Sequence, residues 1–169
     1  VAVVKNSGIF EYIAIRTAKI AKGNPWVIMV LFCIITAVLS AFLDNVTTVL
    51  LIGPVTFTVC KMLELSPVPF FMTQILASNI GGTATLIGDP PNIMIGSAAN
   101  LTFMDFLAFN GPAIVAIMVV AIAIFYVMYG RNMGASAEQQ ASIMELHAHE
   151  AIKNKSLFNK SVVMIALVA

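Results

Sequence analysis

The sequence predicts an all-α, polytopic membrane protein. Of its 169 residues, 60% are hydrophobic and only 10% are charged, whereas an ordinary soluble domain contains about 25% charged residues. The mean hydropathy is +0.96, and several long stretches carry no charge at all. Nine Lys and Arg residues nearly balance eight Asp and Glu residues, so the chain lacks the basic surface typical of nucleic-acid binding. A soluble globule and a nucleic-acid-binding protein are thereby excluded.

Residues 1–25 are predicted to hold the end of a preceding helix and an amphipathic helix at the membrane interface. Residues 1–4 are apolar, and apolar residues then recur at helical spacing while Arg16, Lys19 and Lys22 occupy other faces. This pattern is typical of a helix that lies in the interface. Because the chain starts on an apolar run, we expect it to be an internal module of a larger protein.

Residues 26–63 are predicted to form a helical hairpin with a polar tip at residues 44–48. Its two arms are uncharged apolar stretches that are separated only by Asp44 and Asn45. As one continuous helix, residues 26–60 would be about 52 Å long, much longer than the roughly 30 Å hydrocarbon core of a bilayer. The segment is therefore expected to fold back on itself.

Residues 70–110 are predicted to form a discontinuous helix, broken at residues 81–92, where the sequence is GGTATLIGDPPN. The two glycines free the backbone from helical geometry. The tandem prolines exclude the α region for the residue before them and are suited to open the next half-helix. Since residues 70–80 would rise only about 16 Å, the break is expected near the membrane midplane.

Residues 111–130 are predicted to form a plain membrane-spanning helix, with Pro112 in the first turn, where a missing N–H is harmless. Residues 131–160 are predicted to form a polar cytoplasmic connection, in which residues 136–139 (SAEQ) fit a helix capping box. Residues 161–169 are apolar but too short to cross a bilayer. We interpret them as the start of the next transmembrane helix.

Charge placement selects the topology. If residues 26–63 fold back, all nine basic residues lie on one face of the membrane, whereas a single span would divide them four to five. The positive-inside rule favours the hairpin. The protein is therefore expected to be an integral, multi-pass membrane protein with its basic loops in the cytoplasm. The charge count leaves the depth of the hairpin tip open.

The two breaks indicate ion binding. Irregular backbone at membrane depth is tolerated only where protein buries it or where it lines a watery cavity. The breaks leave two helix C-termini, near Leu43 and Ile80, whose carbonyls can face a cation, and two helix N-termini whose N–H groups can face an anion. Secondary transporters build their sites in this way. Asp44 is interpreted as the coupling residue, since a partly desolvated carboxylate can exchange a proton for a metal ion.

Other interpretations remain open at this point. Asp44 also fits a loop in water or a cap on the following helix, Asp89 fits a helix cap, and the threonines fit bonds to backbone carbonyls. Cys33 and Cys60 lie inside apolar runs and are interpreted as small buried hydrophobic residues. Paired intramembrane aspartates suggest an aspartyl protease, but the Gly-x-Gly that precedes the aspartate in such enzymes is missing before Asp89. A passive channel and a structural subunit are the remaining classes.

Two motifs resemble a known superfamily. SAFLDNVTTVLLIGPVT at residues 40–56 and SNIGGTATLIGDPPNIMIGSA at residues 78–98 are similar to motifs of the ion transporter superfamily. Its members include arsenite permeases, NhaD-type sodium/proton antiporters, P proteins and sodium/dicarboxylate symporters, and the P-protein-like branch is the most similar. The resemblance covers nearly the whole chain. It implies an inverted repeat in which each half supplies a membrane hairpin and a discontinuous helix, with this chain as most of one half.

The resemblance also implies site residues. A Ser-Asn-Thr triplet at the hairpin tip of the symporters helps to bind sodium, and the corresponding place here holds Asp44, Asn45 and Thr47. The added aspartate would repel a dicarboxylate, which favours a proton or sodium step. Residues 81–92 correspond to the loop that completes the ion site. Sodium is accordingly expected at Asn45, Thr47, Gly82 and Asn92.

The sequence thus predicts a secondary active transporter of a small ion, such as an inorganic anion or an arsenite-type species. Coupling to sodium or protons and alternating access are expected, and a sodium-coupled di- or tricarboxylate (citrate-like) symporter is the alternative. No enzymatic activity and no cofactor beyond the coupling ion are expected. The expected partners are membrane lipid and the second half of the same protein, with a homodimer left open. The predicted ion-binding residues are Asp44, Asn45, Thr47, Thr48, Asn79, Gly81, Gly82, Thr83, Gly88, Asp89, Pro90, Pro91 and Asn92.

Overall fold

A computed structural model describes residues 9–134 and residue 136. Within this part, the chain has no strand, and its regular structure is six α-helices and a short 3-10 helix at Gly130–Asn132. The predicted helix end at residues 1–4, most of the connection with its capping box, and residues 161–169 lie outside the described residues. The α-helices are α1 (Ile9–Ile20), α2 (Pro25–Ser40), α3 (Asn45–Met62), α4 (Val68–Gly82), α5 (Pro90–Ala99) and α6 (Phe103–Met128).

Local sequence signals set the boundaries of α2 and α5. The Asn24 side chain accepts hydrogen bonds from the backbone nitrogens of Trp26 (3.0 Å) and Val27 (3.3 Å), and Pro25 occupies the first helical position, where its fixed φ is favourable. Helix α5 ends at Asn100, whose φ of 53° lies in the left-handed region, a common conformation after a helix. Each of these helices therefore begins or ends where its own residues favour it.

Helix α6 begins earlier than the sequence predicted. It starts at Phe103 instead of Gly111, because Thr102 and Asp105 form a capping box: Asp105 Oδ2 accepts from the Thr102 nitrogen (2.7 Å) and the Thr102 hydroxyl accepts from the Asp105 nitrogen (3.3 Å). Pro112 consequently lies inside the helix, not in its first turn. There it removes one backbone hydrogen bond and weakens α6 locally.

The hydrophobic core lies between α2, α3 and α4. Helix α2 packs most extensively on α4, α3 contacts both, and α1 packs on α3. The largest fully buried apolar side chains are Phe32 and Phe70. Cys33 and Cys60 are free and buried within this core, which confirms their interpretation as buried hydrophobic residues.

Among the helices that the structure describes, two, α3 and α6, are long and apolar enough to cross a membrane. The most apolar window of α6 has a mean hydropathy of 2.5, and only 6% of that window is buried against the rest of the chain. Val115, Val119 and Val127 are among the apolar side chains that α6 exposes. Such an apolar surface is unfavourable in water and is expected in lipid or against further helices.

Candidate ion-binding site

The two helix breaks meet in space. Gly82 ends α4 and Gly88 precedes α5, and a Cβ atom on Gly88 would lie 2.8 Å from both the Gly82 Cα and the Ser40 carbonyl oxygen. A Cβ on Gly81 would overlap the backbone of Ala37 in α2. Because real Cβ atoms essentially never approach other heavy atoms within 3.0 Å, this approach requires glycine. The fold thus places the hairpin tip against the break in the discontinuous helix.

Ser40, Asn45 and Asn79 form a hydrogen-bonded chain, here called the amide relay, across the two breaks. The Ser40 hydroxyl donates to Asn45 Oδ1 (2.5 Å), and Asn45 Nδ2 donates to Asn79 Oδ1 (3.1 Å). Asn79 Nδ2 in turn donates to the carbonyl of Ile75 (2.8 Å). A carbonyl can only accept, so it fixes the orientation of Asn79, which fixes that of Asn45. The oxygen of Asn45, not its nitrogen, consequently lies against Gly82.

Asn92 and Thr85 brace the loop between α4 and α5. Asn92 Nδ2 donates to the carbonyls of Gly82 (3.2 Å) and Thr85 (2.8 Å). The Thr85 hydroxyl donates to the Ala41 carbonyl in the hairpin and accepts from the Gly88 nitrogen (3.1 Å). Because the nitrogen of Asn92 faces the loop, its amide positions carbonyl groups there and does not present its own oxygen to an ion between them.

Four oxygen atoms lie close to the positions that Cβ atoms on Gly82 and Gly88 would occupy. They are the carbonyl oxygens of Ser40, Gly82 and Gly88 and Oδ1 of Asn45, and we call them the oxygen cluster. A Cβ on Gly82 would touch Asn45 Oδ1 and would lie 3.0 Å from the Gly88 oxygen, and a Cβ on Gly88 would touch the Gly82 oxygen. Neutral oxygen ligands of this kind suit a hard cation, and carbonyls freed at helix ends coordinate sodium in transporters.

Asp44 and Thr47 lie at the outer side of the hairpin tip. Asp44 is exposed, and its Oδ1 accepts from the Thr47 nitrogen (2.9 Å), so it caps α3. Thr47 is also exposed. Within the described residues, no side-chain hydrogen bond joins either residue to the second break. Thr48 is fully buried, but it points into the interior of the bundle and its hydroxyl has no hydrogen-bond partner in the described structure.

The N-termini of α3 and α5 are less open to an anion than the sequence led us to expect. The carboxylate of Asp44 already occupies the N-terminus of α3. Helix α5 opens with Pro90 and Pro91, which have no N–H to donate, and the nitrogen of Asn92 is bonded to the Asp89 carbonyl (3.0 Å). The predicted break residues are therefore present at the site, but their arrangement favours a cation.

Asp89 stands at the N-cap position of α5 without making a side-chain capping bond. A helix cap was one interpretation of this residue, and the structure gives the position without the interaction. An aspartyl protease needs two carboxylates that share a proton. Within the described residues no hydrogen bond joins Asp89 to Asp44, whose carboxylate is bonded to Thr47.

Three residues at the site were not selected from the sequence as ion-binding residues. Ser40 starts the amide relay, Thr85 ties the loop to the hairpin, and Asn110 of α6 donates from Nδ2 to the carbonyl of Thr83 (3.5 Å). The Thr83 hydroxyl donates back to the Asn79 carbonyl (2.8 Å). Only Ser40 had a readable signal, since a short turn before Asn45 brings the end of the first arm close to the start of the second.

A buried polar layer lies in the core below the site. The amide of Gln74 donates from Nε2 to the Thr56 hydroxyl (2.7 Å), which donates to the Ile52 carbonyl (3.2 Å). Gln74 Oε1 and the hydroxyl of Thr36 are buried without a partner in the described structure. Unpaired buried polar groups of this kind cost roughly 1–3 kcal/mol each, which makes the layer a sensitive part of the fold.

Comparison with known proteins gives a family. The sequence profile of a family described as citrate transporter matches residues 1–169. An "uncharacterized transporter" of Mycobacterium bovis and the "46 kDa membrane protein" of Mycobacterium leprae are each 45% identical over 168 residues, which is 99% of this chain and 39% of each relative. The P protein of Homo sapiens is 42% identical over 127 residues, which is 74% of this chain and 15% of that protein.

The similarity to the P protein is consistent with the resemblance seen in the two motifs, and both breaks lie inside the matched region of the family profile. The chain spans 39% of the length of the mycobacterial relatives, so it corresponds to a part of such a protein. With its apolar helices and the full-length profile match, the chain belongs to the citrate transporter family of membrane proteins.

Proposed function

We propose that the chain is one half of a cation-coupled secondary transporter and that the oxygen cluster at the two breaks binds the coupling cation. The convergence of three carbonyl oxygens and Asn45 Oδ1 on the Gly82 and Gly88 contact carries this proposal. The amide relay keeps the oxygen of Asn45 turned toward that contact. Both features are specific to the two breaks and have no role in packing an ordinary helix.

Sodium is the coupling ion that the site favours. The cluster consists of neutral oxygens, and the carboxylate of Asp44 is bonded to its own helix N-terminus. A proton would need a titratable group at the centre of the site, whereas sodium needs several oxygen ligands, as at the broken helices of other transporters. Asp44 acts in this proposal as a nearby negative charge that attracts the cation.

The position of the breaks along the helices supports a site within the membrane. The rings of Trp26 and Tyr126 contact each other with centroids 5.1 Å apart, and such aromatic residues favour a membrane interface. Along α2, Ser40 lies about 21 Å from Trp26. Along α6, Asn110 lies about 24 Å and Phe103 about 35 Å from Tyr126. Both breaks then fall inside a hydrocarbon core of roughly 30 Å, and the hairpin re-enters without crossing.

The contact between Trp26 and Tyr126 also supports an orientation of the chain in the membrane. Lys22 precedes Trp26 and Arg131 follows Tyr126, so basic residues flank the aromatic pair at the starts and ends of these helices. By the positive-inside rule this side is cytoplasmic. An inverted second half would supply a matching hairpin and broken helix, and the two halves would alternate access around the site.

The substrate in this proposal is a small ion that moves with the cation. A citrate-like carboxylate is the second candidate, favoured by the description of the family. In either case the starts of α3 and α5 are occupied by a carboxylate and by prolines, so the contacts of an anionic substrate are proposed to come from the bound cation and from the other half.

The experiment is flux into proteoliposomes that contain the purified full-length protein. Asn45→Ala removes the middle of the amide relay and one cluster oxygen, and it is expected to abolish sodium-dependent uptake. Thr58→Ala on the same helix is the matched control, since this hydroxyl bonds the Pro54 carbonyl away from the site. Thr58→Ala is expected to transport like the wild type.

Flux into the same vesicles also identifies the substrate and distinguishes a carrier from a channel. Sodium-driven uptake of radiolabelled citrate would favour the second candidate, and uptake of arsenite or an inorganic anion would favour the first. Flux that never saturates and ignores an imposed sodium gradient would identify a channel and contradict the proposal. Full sodium coupling in Asn45→Ala would remove the oxygen cluster from the mechanism.

A further inference from the structure

A cavity of about 440 Å³ lies between the broken segment and the first turns of α6. Thr83 and Asn92 line it from the side of the break, and Asp105 and Asn110 line it from α6. We call this cavity the vestibule. Phe106 and Phe109 provide apolar wall between the polar groups. None of the residues around the vestibule is a lysine or an arginine.

Most of the polar hydrogens that line the vestibule are already donated to protein carbonyls. Asn92 Nδ2 donates to two carbonyls, Asn110 Nδ2 donates to the Thr83 carbonyl, and the Thr83 hydroxyl donates to the Asn79 carbonyl. Within the described structure, neither amide oxygen accepts a hydrogen bond. Apart from one hydrogen on Asn110 Nδ2, the remaining hydrogen-bonding capacity is that of acceptors. Together with the carboxylate of Asp105, these acceptors attract cations and repel anions.

The vestibule adjoins the oxygen cluster. Thr83 follows Gly82 directly in the chain, and Asn92 donates to the Gly82 carbonyl, which is a member of the cluster (3.2 Å). On α6, Asp105 and Asn110 are separated by a rise of about 8 Å. Asp105 lies near the start of α6, and Asn110 lies where it bonds the broken segment.

We propose that the vestibule is the route by which the coupling cation reaches the oxygen cluster from the membrane face opposite the basic residues. Asp105 draws the hydrated cation in and Asn110 offers it an oxygen at the inner end. This inference rests on the proposed function, and it assigns α6 a part in ion binding that the sequence motifs do not contain.

The first test is the sodium dependence of Asp105→Asn in the full-length protein. Asparagine at this position keeps an oxygen that can accept from Thr102, so the capping box is retained while the charge is lost. In vesicles of one orientation, the sodium concentration for half-maximal uptake of radioactive sodium should rise by between about twofold and about thirtyfold. These bounds are the Coulomb energy between the Asp105 charge and a cation about 8 Å away, which is the rise from Asp105 to Asn110. The dielectric of water gives the lower bound, and that of a protein surface gives the upper bound. The maximal rate should stay unchanged.

The effect should appear only when sodium is supplied on the face opposite the basic loops, at constant low ionic strength, because salt screens exposed charges. Glu64→Gln is the matched control, since it removes the same charge from the α3–α4 connection near the other face. Its half-saturation for sodium from the vestibule side should equal that of the wild type.

The second test does not depend on the charge. In a background without other reactive cysteines, Asn110→Cys should react with a membrane-impermeant thiol reagent added on the vestibule side, and sodium should slow that reaction. A cysteine that is closed to water from that side, or labelling that sodium leaves unchanged, would overturn the vestibule.

The two proposals fail in different ways. If wild-type uptake shows no sodium dependence, the proposed function is wrong. If wild-type uptake depends on sodium while Asp105→Asn keeps the wild-type half-saturation, the oxygen cluster stands and the vestibule is refuted.

Discussion

Gly88→Ala is the substitution that most directly tests whether the two breaks must touch. Its new Cβ would contact the Gly82 carbonyl oxygen and would lie 2.8 Å from Gly82 Cα and from the Ser40 carbonyl oxygen. All three atoms belong to backbone, so no flexible side-chain end can move aside. Either the breaks separate by several tenths of an ångström or the local fold is strained.

The size of the effect follows from the usual cost of such overpacking, which is about 1–3 kcal/mol. If the strain is relieved by opening the oxygen cluster, the same free energy is lost from cation binding, and the affinity for sodium falls by between about fivefold and about 150-fold. If the fold absorbs the strain instead, the loss appears in thermal stability. The loss of sodium affinity and the loss of thermal stability, measured together, should therefore add up to the cost of the substitution.

The assay is the thermal unfolding of the purified full-length protein in sodium chloride and in choline chloride. A cation that binds the native state raises the midpoint by mass action, and Gly88→Ala should lose most of that sodium-dependent rise. Gly111→Ala is the matched control, because a Cβ there meets only the Leu107 side chain at 3.8 Å. It should keep the sodium effect and gain a little helix stability, up to about 1 kcal/mol.

The reasoning would be refuted by a Gly88→Ala protein with wild-type stability and a wild-type response to sodium. Such a protein would mean that the Gly82 and Gly88 contact is neither tight nor needed for the ion.

Two further predictions concern the hairpin and the core. Asp44→Asn keeps an oxygen to cap α3 but removes the charge, so sodium-coupled flux should persist with a sodium affinity reduced by less than about tenfold, the effect of a screened charge near the site. Complete loss of coupling in liposomes would instead indicate that Asp44 is the coupling residue. Thr36→Val removes a buried hydroxyl without a partner and should raise the midpoint of thermal unfolding, whereas Thr56→Val breaks the bonds to Gln74 and Ile52 and should lower it. Midpoints that move in the same direction would contradict this account of the buried layer.

The positions of the breaks were predictable because their causes are local. Asp44 caps α3, and the tandem prolines at Pro90 and Pro91 open α5 through their own backbone chemistry. The start of α6 was missed although a Thr-x-x-Asp capping box was readable at Thr102. The uncharged stretch beyond Gly111 and the expectation that Pro112 opens a helix suggested a later start.

The contacts between the breaks could not be predicted, because they depend on how distant segments pack. Asn45 and Asn79 are bonded through the fold, and nothing in either local sequence selects that pair. The direction of the amide relay is decided still farther away, by the Ile75 carbonyl one turn down α4. The expectation of an anion site was weakened for a related reason. The sequence shows where a helix begins, but the structure shows that the Asp44 carboxylate occupies the start of α3, while two prolines without an N–H open α5.

The closed helix N-termini have a consequence for coupling in the proposed transporter. An anionic substrate that approaches this half meets the carboxylate of Asp44 and several carbonyl oxygens, all of which repel it. A sodium ion in the oxygen cluster offsets the charge of Asp44 and faces the carbonyl dipoles, so an anionic substrate is expected to bind more tightly after the cation has bound. Electrostatics then sets the order of binding, with the cation before the substrate. The reciprocity of linked binding demands that the substrate tighten cation binding by the same factor, which a titration of sodium at fixed substrate concentrations would measure.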